Sequence, residues 1–275
     1  MRPSHVRFVS LVSAMLASSV AIAATPLPDP PFPGGGSVPV TKDVLRQELN
    51  VLKVLVKYGT KRAGCDSALI DDLTLAYTSN AGSKIMAVQD KWVACVQKVE
   101  DRYVYERDKV LLKGTPGCLD QAGIDALRAD LDGQLAVGSS IAYCDGDNAA
   151  PDPVTALNVP DKVQEATGEA EAGKRIVKSY YEALKCLYGV VPRLFREQAV
   201  SQENKDRMSY CLDKIAARVD DTMGKLDQTQ KLPSCLPEPL AVAAAISARD
   251  FGTSSSGGIF CASPGGAVID GAPVF

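Results

Sequence analysis

Histidine is almost missing from this chain of 275 residues: the single one, His5, lies near the start. Arg2, His5 and Arg7 make a basic beginning, Phe8 to Val20 is apolar, and Ala21-Ile22-Ala23 is a small-residue cleavage pattern. Residues 1–23 therefore read as an export signal, with a mature chain expected from Ala24. A mature chain without histidine has no Ser-His-Asp or Cys-His catalysis and no histidine-ligated zinc, copper, iron or haem. No cofactor and no metal is expected, and the balance falls against an enzyme.

Other absences narrow the classes further. No Cys-x-x-Cys pair occurs, which removes the spacing of thioredoxin-like redox centres and zinc ribbons. Beyond the signal, no run approaches the roughly 18 apolar residues that span a bilayer. Basic residues are also short. Without the two arginines of residues 1–23, 28 Lys and Arg face 33 Asp and Glu. That surplus of acid argues against a nucleic-acid partner, which needs cations to displace phosphate counterions. Localisation is expected to be exported, periplasmic or extracellular.

What the chain does have is cysteine: Cys65, Cys95, Cys118, Cys144, Cys186, Cys211, Cys235 and Cys261. An even number in an exported protein reads as structural disulfides. The sequence around them repeats. Asp90-Lys91-Trp92 precedes Cys95 as Asp206-Arg207-Met208 precedes Cys211, and Lys98, Val99 and Arg102 correspond to Lys214, Ile215 and Arg218. Leu55-Val56-Lys57 ends eight residues before Cys65, and Ile176-Val177-Lys178 ends eight before Cys186.

Apolar residues recur at spacings of three and four from Thr41 onward, with Thr41 as the N-cap. The pattern predicts a helix ending before Gly64-Cys65, a shorter one over 66–77, a long one from about Ser83 to Leu112, and another from Leu119 to Ala136. The second half predicts helices at 161–189, 192–198, 202–229 and 238–248. The expected fold is all-α: two tandem homologous antiparallel helical bundles stapled by disulfides. Their bounds are a Pro/Gly-rich tether over 24–40, domain 1 over 41–144, a linker over 145–160, and domain 2 over 161–275 with a Gly/Ser-rich end.

Helix geometry selects the pairing. Cys95 and Cys118 stand 23 residues apart across a helix end, too far at about 1.5 Å per residue for a bond that needs Cα atoms within about 7 Å. A hairpin turning near Asn80 sets Cys65 beside Cys95, and one turning near Ala199 sets Cys186 beside Cys211. The predicted set is Cys65–Cys95, Cys118–Cys144, Cys186–Cys211 and Cys235–Cys261.

Candidate sites are few. Lys98 with Arg102 and Lys214 with Arg218 share a helix face at i and i+4, either to grip an anionic ligand or partner or to pair with acids of the neighbouring helix. Asp145-Gly146-Asp147-Asn148 starts like a calcium loop, but its twelfth position is Ala156 where a carboxylate is required. Asp71-Asp72, Glu100-Asp101 and Asp220-Asp221 read as solvated helix faces. The function expected is non-enzymatic, by protein binding or self-assembly. The alternatives are a carrier with an apolar ligand between helices, near residues such as Leu73, Val96 and Ile215, and a carboxylate-dependent enzyme acting on glycans.

Overall fold

The computed structural model describes residues 41–79, 84–117, 119–142, 163–197 and 201–232, with Leu236, Ala243 and Ile259. The expected signal, tether and linker with its Asp145 loop, the helix expected at 238–248 apart from Ala243, and Cys118, Cys144, Cys235 and Cys261 lie outside the described residues. All the extended structure described is helical: α1 (Lys42–Thr78), α2 (Ile85–Lys113), α3 (Gln121–Ala142), α4 (Val163–Glu197) and α5 (Gln202–Gln228).

Local chemistry sets most of the ends. Thr41 Oγ1 accepts the Val44 backbone N–H at 3.2 Å and starts α1, and Ser201 accepts that of Asn204 at 3.3 Å to start α5. Gly114, at a φ of 95° that side-chain-bearing residues avoid, closes α2. Two expected breaks are absent. Helix α1 runs through Gly64 because Ala63 and Cys65 on either side are buried. Packing there outweighs a glycine's cost of about 1 kcal/mol in a helix interior. Helix α4 likewise runs through Pro192. The ring removes one ladder hydrogen bond near the helix end, while the preceding Val190 and Val191 are buried and hold the turn.

Helices α1 and α2 form an antiparallel hairpin, since contacts pair rising with falling numbers: Tyr58 with Glu100, Cys65 with Cys95, Asp72 with Lys91. Helices α4 and α5 do the same through Glu182–Arg218, Cys186–Cys211 and Glu197–Asn204. Both predicted hairpin disulfides form, each with Cα atoms 5.8 Å apart. Each is worth roughly 2–4 kcal/mol, mainly by restricting the unfolded chain. Two such bonds suit an oxidising compartment.

The hairpins pack against each other through α1 and α4, and α3 covers α1, α2 and α4. Leu52, Leu55, Ile70 and Leu73 of α1, Leu131 and Leu135 of α3, and Ile176, Tyr180, Leu184 and Leu187 of α4 belong to one continuous buried cluster. Helices α2 and α5 flank it, leaving the outer side of α2 to solvent. Among the described residues, no helix is long and apolar enough to cross a membrane.

Candidate functional site

Beside the Cys65–Cys95 bond the α1–α2 seam opens into a groove of about 940 Å³. Its position follows from helical spacing. Val54, Tyr58 and Cys65 of α1 and Cys95, Val99 and Tyr103 of α2 form an apolar floor, with Gly64 at one side. Lys57, Lys61, Lys98 and Arg102 also line it, with Tyr105 and the acids Asp101 and Glu106. Gly64 widens the opening: a Cβ placed there would meet nothing within 4 Å.

Two of the four cations are already engaged. Glu106 accepts Arg102 on its own helix and stands 3.6 Å from Lys57 Nζ on α1. The lowered Glu106 pKa is the balance of burial, which raises it, against Lys57 and Arg102, which prevail. Tyr105 lies against Arg102 and Lys109, whose cationic groups stand 5.1 and 4.3 Å from its ring centre. Lys61 and Lys98 have no carboxylate partner among the described residues.

The structure thus places Lys98 and Arg102 on one groove, though only Lys98 is uncommitted. Lys214 and Arg218 lie on α5, away from it. Arg218 reaches Glu182 of α4 at 3.6 Å, an ion pair across the hairpin. Leu73 and Ile215 are core residues, and neither they nor Val96 line the groove.

A second polar constellation joins α1, α2 and α3 on the other side of Tyr58. The Tyr58 hydroxyl lies 2.6 Å from Glu100 Oε1 and 2.7 Å from both Asp132 oxygens. Arg128 Nη1 donates to the same two acids at 2.9 and 2.7 Å. Next to them Asp66 accepts Arg62 at 2.5 Å and the Trp92 indole N–H at 2.9 Å, and Arg62 Nε stands 3.8 Å from Asp132. Farther along, Tyr103 and Arg107 both donate to Asp125.

Burial raises the pKa of Asp132 and of Asp66, more than their arginine neighbours lower it. Burial and the two carboxylates push the Tyr58 phenol far up, so it keeps its proton. One phenolic proton serves only one acid at a time.

Sequence reading placed Glu100 on a solvated face and did not single out Tyr58, Arg128 or Asp132. The visible signals were the i, i+4 pairs Arg62/Asp66 and Arg128/Asp132. Two acids from different helices do converge here, as a glycan-cleaving site requires. Tyr58 and Arg128, however, each bond to both of these acids. The constellation is built to join helices. Among the described residues no group of three or more potential metal ligands is assembled. Comparison of the chain with known protein families, with curated proteins and with solved structures finds no match.

Proposed function

We propose that this is an exported, non-enzymatic helical protein of the cell envelope or exterior that acts by binding, with the α1–α2 groove as its site for a ligand with an apolar body. The observation that carries the reading is the groove itself. Its volume of about 940 Å³ falls within the range of small-molecule sites, and its apolar floor with polar groups at the edge has their usual make-up. The same reading takes residues 41–144 and 161–275 as tandem homologous bundles, supported by the repeated residues around Cys95 and Cys211. In this account duplication supplied the scaffold, and the groove supplies the activity.

Gly64 offers the direct test. Gly64→Trp projects an indole into open space, so the fold is expected to keep its stability or gain up to about 1 kcal/mol from better helix propensity. Binding of a neutral probe, decan-1-ol, followed by calorimetry, is expected for the unaltered protein and lost in the variant. Unchanged decanol binding in Gly64→Trp would place the ligand elsewhere.

A second reading is a protein partner or a second copy on the outer side of α2. It is favoured by Met86, Val93 and Val104, which are exposed and fall along one line of the helix at spacings of 7 and 11. A concentration-dependent dimer broken by Val93→Lys, together with no decanol binding, would favour it over the groove.

A further inference from the structure

The two disulfides give a common register for comparing the hairpins, and in that register one position reverses its charge. Lys57, Lys61, Lys98 and Arg102 stand eight and four residues before Cys65 and three and seven after Cys95. The same positions around Cys186 and Cys211 are Lys178, Glu182, Lys214 and Arg218. Three cations are kept, and Lys61 is replaced by Glu182.

In the α4–α5 hairpin that carboxylate is held by its neighbours. Glu182 accepts Arg175 at 2.8 Å and lies 3.6 Å from Arg218 and 3.9 Å from Lys178. The hairpin thus carries its own anion at the seam. The α1–α2 hairpin has a lysine at that place. Its groove acid Glu106 is taken by Lys57 and Arg102, and Asp101 accepts the side chain of Gln97 at 2.9 Å. Lys61 and Lys98 remain beside an apolar floor in a chain whose overall charge is negative. Both line the same groove, so an anionic head seated there meets cationic side chains from α1 and from α2.

From this we infer that the groove takes one free, single-chain amphiphile with an anionic head, its apolar body on Val54, Val99 and the Cys65–Cys95 bond and its head between Lys61 and Lys98. The inference rests on the groove reading and adds the ligand's charge, its orientation and its number. Glu182 makes the α4–α5 seam the position that takes none.

The experiment compares decanoate, decan-1-ol and decylamine on the full mature protein by calorimetry, with native mass spectrometry for stoichiometry. Decanoate is expected to bind one per chain and about tenfold more tightly than decanol, as two exposed ion pairs allow, with decylamine weaker than both. Lys61→Glu, which gives α1–α2 the pattern of α4–α5, is expected to remove the decanoate preference and leave decanol binding in place. Lys98→Glu should act the same way, and Lys214→Glu should change nothing.

Equal affinity for the acid and the alcohol, two decanoates per chain, or equal damage from Lys214→Glu would overturn the inference while leaving the groove reading intact. Absence of binding by all three probes would sink both. Binding to anionic phospholipid vesicles that decanoate does not compete away would overturn the inference in favour of a membrane surface.

Discussion

Gly59→Leu is expected to destabilise the protein by about 3 kcal/mol or more. A Cβ at Gly59 would stand 2.9 Å from Leu131 Cδ2 of α3 and 3.0 Å from Tyr181 Cβ of α4. Three helices meet here with no room for one more carbon. Leu131 could turn aside, but Tyr181 Cβ moves only with its backbone, so the added side chain must separate α1 from α4. Gly59→Ala is expected to cost less, about 1 kcal/mol, because its helix propensity offsets part of the clash. Gly64→Ala, five residues on and facing open space, is expected to stabilise by about the same amount. Urea denaturation of the three variants checks the series. A Gly59→Leu protein as stable as the parent would mean that α1, α3 and α4 do not close on one another as described.

Arg128→Met is expected to cost about 2 kcal/mol at neutral pH. Loss of one partner from a fully buried charge pair costs about 3–5 kcal/mol, but Arg128, Glu100 and Asp132 are 26 to 30% exposed, and water screens part of the penalty. Without the guanidinium, Glu100 and Asp132 face each other across the Tyr58 hydroxyl. The loss should therefore shrink as the solution is acidified and Asp132 takes up a proton.

The sign for the parent protein follows from the same group. Asp132 and Asp66 have raised pKa values in the fold, relative to an ordinary aspartate near 3.8. The native state thus binds their protons more tightly than the unfolded chain. On their account stability rises as pH falls from neutral through the raised values, and levels off near 3.8. Asp125 acts in the opposite sense. Burial lifts its pKa, but hydrogen bonds from Tyr103 and Arg107 outweigh that and hold it low. Its contribution is present above the unfolded value and is lost as pH falls through the native one. Denaturant midpoints measured at pH 7 and pH 4.5 should thus converge for Arg128→Met and the parent. A constant gap would mean that Arg128 does not act through these carboxylates.

Much of the helical plan was legible because it depends on near neighbours. Apolar spacing located α2 and α5 to within a few residues, and Thr41 marked the start of α1 through its own hydroxyl. Hairpin geometry chose Cys65–Cys95 and Cys186–Cys211 from residue counts alone. Gly64 and Pro192 were misread as breaks because local propensity says nothing of the buried residues beside them. The association of α1 with α4 could not be read from a period, since it depends on which helix of each hairpin carries the wider apolar surface. At the groove, Lys98 and Arg102 were visible as a pair on one face. The i, i+4 pairing of Arg102 with Glu106 lies within α2, whereas the approach of Lys57 to Glu106, and the lack of a carboxylate partner for Lys61 among the described residues, needed the second helix in place. Asp132 was invisible for the same reason: Tyr58 and Glu100, the residues that define its role, lie 74 and 32 positions away in the chain.

The positions of the two disulfides have a kinetic consequence. Each closes a short stretch, 30 residues in one hairpin and 25 in the other. The α1–α4 junction brings together segments more than 100 residues apart, as Lys174 with Asp71 illustrates. Loop closure favours the nearer pairs. Where the chain meets an oxidising compartment with its N-terminus first, α1–α2 can be oxidised and locked before α4 has appeared. Docking of two covalently closed hairpins then becomes the last step, and wrong cysteine pairing between them is suppressed by the order of synthesis.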